Sequence, residues 1–164
     1  MYSVDSLISE LRKFSEEIIS FGDPVTDNRI LDFEEINNVI LPNDFKEFVS
    51  KCNGIDLMGS TVYGFYPNEK KESIESVYQF EHYEVNYPQF SYLVPFSSDG
   101  RGNFYCFDTR ALTANSSKIV FWVSNYIYND TDKPEVVNDS FLEWLKEVVI
   151  DWTLEDYDYD GNEK

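Results

Sequence analysis

The chain has 164 residues and carries 31 Asp and Glu against 13 Lys and Arg, a formal charge of -18. That length fits one ordinary domain with a real core, and the charge sets its surface against nucleic acid and anionic lipid while favouring cationic partners. A 17% aromatic share, with 13 Phe, 12 Tyr and 3 Trp, excludes a disordered acidic chain.

Val4, Leu7, Ile8, Leu11, Phe14, Ile18 and Phe21 recur at helical spacing and predict an amphipathic helix from about Val4 to Ser20, stopped by Gly22 and Pro24. Thr26 or Asp27 can cap a second helix in which Ile30, Phe33 and Ile36 share a face. Pro42 opens a third, with Phe45, Phe48, Val49 and Cys52 as its apolar stripe and Asn53-Gly54 as its stop. The pattern then turns to strands. Thr61 to Tyr66 is β-branched and aromatic and is expected to end at Pro67. Ile74, Val77, Tyr78 and Glu81 fit a short helix.

Tyr92 to Phe96 reads as a strand, in which Pro95 demands an edge or a bulge. Ser98 to Asn103 is a turn, and Phe104 to Asp108 returns as the other arm of a hairpin. Lys118 to Val123 is a third strand, and Asn129 to Pro134 a polar loop. Ser140-x-x-Glu143 is a capping box for a last helix carrying Phe141, Leu142, Leu145, Val148, Val149 and Trp152. Helices, then consecutive strands, then a helix predict an α+β fold: a mostly antiparallel twisted sheet flanked by N-terminal and C-terminal helices. Residues 1–154 read as one domain and 155–164 as a flexible acidic tail.

Cys52 and Cys106 lie in apolar patterns without C-x-x-C spacing, which suits buried free thiols in a reducing cytoplasm. Met1-Tyr2-Ser3-Val4-Asp5 has no basic region leading into an apolar run, so no signal peptide is expected. No apolar stretch approaches the ~20 residues of a membrane span.

Leu41-Pro42-Asn43-Asp44-Phe45-Lys46-Glu47-Phe48, leading to Asn53-Gly54, resembles the opening signature of the SUKH superfamily, the Smi/Knr-type proteins. Leu93-Val94-Pro95-Phe96, Asp99-Gly100 and Asn103 to Asp108 resemble its second block. Ile119 to Trp122, and Ser140-Phe141 with Trp144-Leu145, resemble its third strand and closing helix. The resemblance runs in order over roughly residues 27 to 150; Val123-Ser124 departs from it, standing where a more polar pair often follows the tryptophan. It implies an α+β fold with a twisted sheet. It also implies a bacterial immunity protein that binds and neutralises a delivered toxin domain, such as a nuclease or deaminase. A eukaryotic branch resembles regulators of cell-wall synthesis.

The residues point to binding rather than to catalysis. His82 is the single histidine, and no nucleophile motif accompanies it. Asp99-Gly100-Arg101-Gly102 lies between strands, whereas phosphate loops lead into a helix N-terminus. Asp156, Asp158 and Asp160, with Gly161, form half of a calcium loop, but the chain as given ends before a twelfth-position Glu, so no metal or other cofactor is expected. Glu143, Glu147, Asp151 and Glu155 repeat every four residues along the last helix. Such like charges repel by a few tenths of a kcal/mol per pair, and Lys146 is the one cation near enough to offset them. That stripe is the expected docking face for a cationic partner, the plainer alternative being a solvated helix surface.

Asp99, Asp130 and Asp132 add acid in loops, as do Glu69, Glu72 and Glu75, and Tyr63 and Phe65 are candidate aromatic anchors. The expected partner is a basic cognate toxin, with no nucleic acid and no membrane. The rivals are a regulatory scaffold with an endogenous partner and a mimic of nucleic acid.

Overall fold

The computed structural model describes residues 1–66, 72–110 and 115–164. In chain order its elements are α1 (Val4–Leu11), β1 (Ile19–Phe21), α2 (Asp27–Asn37), α3 (Asn43–Lys51), β2 (Ile55–Leu57), β3 (Ser60–Val62) and α4 (Ile74–Gln79), which runs into a π-helical turn, Phe80–Glu84. Then come β4 (Leu93–Ser98), β5 (Phe104–Asp108), β6 (Ile119–Trp122) and β7 (Glu135–Asn138). The last helix begins as α5 (Phe141–Trp144), widens to a π-helix over Leu145–Asp151 and closes as α6 (Trp152–Asp156). Both sheets are antiparallel, ordered β1-β2-β3 and β4-β5-β6-β7. The expected α+β architecture is the one observed.

The sheets meet where Tyr63 N donates to Phe96 O at 2.9 Å and Ser97 Oγ to Thr61 O at 2.6 Å. Pro95 sits on β4, the outer strand of the larger sheet, and the register slips between Pro95 and Ser97. A residue without an N–H is thus placed at both an edge and a bulge. Inward residues of β4 to β6 pack against α3 and the last helix. Phe45, Phe96, Phe107, Phe141 and Trp144 form the centre, with Phe96 stacked on Phe107 at 4.2 Å and set edge-on to Trp144 at 4.7 Å. The opposite face of the sheet buries Leu93, Cys106, Val120 and Trp122 beneath Phe90, Tyr92 and Tyr128. Cys52 and Cys106 are free, buried thiols.

Three expectations give way. The first helix ends at Leu11; Ile19–Phe21 is instead a strand paired with Ile55–Leu57. Ile19 and Phe21 satisfy alternation as well as helical spacing, and the β-branched Ile18-Ile19 pair favours the extended form once a partner strand is present. The strand expected over residues 61–66 is only Ser60–Val62, its end at Pro67 lies outside the described residues, and β2 and β7 were not expected at all. Lastly, residues 155–164 are not a loose tail. Tyr157 bridges Glu163, Ser15 N donates to Tyr159 O at 2.8 Å, and the Tyr159 ring lies 4.9 Å from Phe14.

Candidate functional site

The residues that carry the sequence signature hold the frame. Asn53 is buried, and its amide pairs with the backbone of Phe65 in both directions: Phe65 N to Oδ1 at 2.8 Å and Nδ2 to Phe65 O at 3.1 Å. Gly22 and Gly64 pass so close that a Cβ on either would lie 2.0 Å and 2.4 Å from Asn53 O. Asp44, also buried, caps its own helix start through Phe45 N and accepts from Ser116 Oγ at 2.8 Å. Burial raises its carboxyl above the ordinary range, partly opposed by these hydrogen bonds. These residues fasten elements of the frame together.

The proposed anchors Tyr63 and Phe65 are 3% and 0% exposed and belong to the core, so neither is a docking residue. Alternation marked them correctly as apolar positions but could not say that both faces of this segment are covered. Asp99 is taken up by its turn, accepting from Arg101 N at 2.7 Å, Asn103 N at 3.0 Å and Asn103 Nδ2 at 2.9 Å. Burial alone would raise its pKa, but those donors together hold it below the usual value. Asp132 closes the polar loop by accepting from Asn129 N, and Asp130 stands exposed beside it. Asp158 is likewise spent on a local turn with Asp160 N and Asn162 N. Among the described residues no group of His, Cys, Asp or Glu is placed to hold a metal ion. Glu69 lies outside the described residues.

The last-helix stripe is partly compensated. Glu143 accepts from Asp139 N at 3.3 Å, so the capping box is half made: Ser140 Oγ caps Glu143 N, but Glu143 reaches one residue further back. Glu147 accepts from Asn138 Nδ2 at 3.0 Å, and Asp151 pairs with Lys146. Glu155 is exposed. The π-winding matters here. The i→i+5 turn is wider than that of an α-helix. Residues five apart, Lys146 and Asp151, therefore come within reach of each other.

This helix face continues onto the sheet. Tyr105 on β5 packs on Trp144 at 5.3 Å and on Phe121 of β6 at 5.1 Å. Its hydroxyl is raised by burial first and then by the charges of Asp99 and Glu147, which places both acids around one ring. Phe121 is opposite Glu135 in the sheet register, and a 250 Å³ hollow runs from Phe121 and Glu135 to Tyr126 and Asp132. Glu147, Asp99, Glu135 and Asp132 thus border one aromatic strip, with Lys133 at its end. The sequence suggested several of these acids but not Tyr105, Phe121 or Glu135, because their convergence requires the register of β5, β6 and β7.

A second acidic recess lies on the other side of the sheet. It is a 710 Å³ cleft lined by Glu72, Phe80, Glu81, Glu84, Tyr87 and Ser124, among others. Glu81 and Ser124 are its least expected members and were not singled out from the sequence as site residues. The signal for Glu81 was its place on the apolar face with Ile74, Val77 and Tyr78, where a carboxylate is out of register with its neighbours.

His82, next to Glu81, stacks on Tyr78 at 3.9 Å and lies 2.8 Å from Leu93 O through Nε2. Since a carbonyl only accepts, Nε2 carries the proton. Burial lowers the ring's pKa, against a smaller opposing effect of that hydrogen bond, and favours the neutral form. Buried Cys52 is pushed up to about 12 by desolvation, slightly opposed by Arg12, and Cys106 is raised well above its ordinary value by burial. Neither is an activated thiolate.

No helix among the described residues is long and apolar enough to cross a membrane. A solved structure of a protein from Pseudomonas syringae pv. tomato matches this fold with a TM-score of 0.62 at 17% identity, over 88% of this chain and 96% of that one. None of the curated proteins matches the sequence. The SMI1/KNR4 family model (SUKH-1) matches residues 24–147, from the approach to α2 through the middle of the last helix. With three-quarters of its length so matched, and with Asp44, Asn53 and the β4–β5 hairpin fastening the frame, the chain belongs to the SMI1/KNR4 family (SUKH-1).

Proposed function

We propose that the chain is an immunity protein that binds a basic toxin domain and blocks it by occupying its substrate-binding face. The observation that carries this reading is the acidic border of Glu147, Asp99, Glu135 and Asp132 around the partly exposed Tyr105 and Phe121. An aromatic centre rimmed by charge is the composition of a specific protein interface. A chain of charge -18 also attracts a cationic partner over a distance, raising its association rate. Family membership supports a binding or regulatory role over a catalytic one. The thiols and the histidine, spent on packing, supply no nucleophile or base.

The test is protection. The chain is co-produced with toxin domains encoded by its neighbouring genes, and growth and complex formation are measured. One of them is expected to be bound and silenced. The double charge reversal E143K/E147K is expected to weaken that complex by about a hundredfold, on the scale of two close charge pairs across an interface. If no neighbouring toxin is bound and the chain instead captures an endogenous protein, the regulatory reading replaces this one. Competition with DNA for a general DNA-binding protein would instead favour mimicry.

A further inference from the structure

The cleft on the far side of the sheet contains the buried charge that the fold explains least. Glu81 is 6% exposed, yet no described residue donates a hydrogen bond to its carboxylate or forms an ion pair with it. Burial raises its pKa, and no other cause contributes. Its oxygens open on the cleft, and without a partner among the described residues a carboxylate held this deep works against folding. Two more carboxylates, Glu72 and Glu84, line the same recess, and among the described residues no Lys, Arg or His does. Ser124 Oγ, on the opposite wall, also lacks a hydrogen-bond partner. Phe80 and Tyr87, 51% and 54% exposed, provide aromatic surfaces at the mouth.

We propose that this cleft receives an arginine side chain of the partner protein, with the guanidinium on Glu81 and its plane against Phe80 or Tyr87. The proposal rests on the immunity reading for the partner's identity, and it adds a second contact site on the other side of the sheet from the Glu147 face. Arginine fits better than lysine for three reasons. Its planar fork can satisfy both oxygens of one carboxylate, it stacks on aromatic rings, and it sheds water more readily than an ammonium. The recess also falls within the usual volume range for pockets that enclose a small ligand. A bound guanidinium would supply the counter-charge that no described residue gives Glu81.

The full chain, labelled with ¹⁵N, is titrated with a blocked glycine–arginine–glycine tripeptide and its lysine counterpart. Saturable shifts are expected at Glu81, Glu84, Tyr87, Phe104 and Ser124, with arginine at least about threefold tighter. E81Q is expected to weaken the arginine peptide by about tenfold, the loss of one charge-assisted pair. The same variant should unfold at a temperature equal to or above the parent, since it removes a charge that burial disfavours. E147Q should bind the peptide like the parent. Shifts centred on the Glu143–Glu147 face, or E81Q binding unchanged, would overturn the site. Peptide binding at Glu81 by a chain that protects against no toxin would keep the site and sink the immunity reading. Protection by a chain whose E81Q variant binds the peptide unchanged would do the reverse.

Discussion

Asn53 illustrates how one side chain can replace a strand partner. Its amide reproduces the donor and acceptor of a peptide group and binds Phe65 N and O, both fully buried. Asn53→Ala leaves two backbone groups without partners, and at the usual penalty for such groups it is expected to cost about 3 kcal/mol. Urea unfolding measures this; a loss below about 1 kcal/mol would mean that water or a backbone shift restores the bonds. The sequence marked Asn53-Gly54 as a helix stop, which is correct, since Gly54 adopts a φ of +89°. It could not reveal the second role of Asn53, because Phe65 is 12 residues away and only the packed fold brings it back.

At the level of elements, the last helix and the segment after it differ most from a simple reading. The apolar positions of the helix were legible, but its π-winding was not, since one residue more per turn barely alters a short hydrophobic pattern. The terminal segment seemed loose because it is polar. It is instead held by a few specific contacts: Tyr159 packs at a tilt on Phe14, its hydroxyl donates to Glu10, and Gly161 passes close beneath Ile18. Tyr159→Ala removes the ring contact and the hydrogen bond and is expected to lower stability by about 2 kcal/mol. It should also speed amide exchange at Ser15, whose N–H is bonded to Tyr159 O. Unchanged exchange there would show that the segment is not needed to order the α1–β1 connection.

For the whole molecule, the placement of its carboxylates predicts how stability follows pH. Burial raises Asp44, Glu75 and Glu81 above their ordinary values, so in this range the folded state binds more protons than the unfolded one. Their ionisation therefore destabilises the fold as pH rises through their folded-state values, and acidification from neutrality restores it. Glu10, Asp99 and Asp108 are held below their ordinary values and act oppositely. Their contribution is present above the unfolded pKa and is lost as pH falls through the folded one. Maximum stability is thus expected on the acid side, near about pH 5, where self-repulsion of the net charge is also reduced. Thermal unfolding followed by circular dichroism across that range checks this. A melting temperature that falls steadily on acidification from neutrality would contradict it, and E81Q should flatten the limb between the maximum and neutrality.

The sequence by itself determined the fold class, the β4–β5 hairpin, the main core positions and the acidic character, because hydrophobic period, turn chemistry and charge are local properties of the chain. It also carried the family signature. Only the tertiary structure decided which residues are available to a partner. Tyr63 and Phe65 proved buried and Asp99 was bound to its own turn, while Tyr105, Phe121 and Glu135 came together through strand register. The unpaired Glu81 is the clearest case: its sequence position announced a carboxylate on an apolar face, but whether a counter-charge met it depended on every element packed around it.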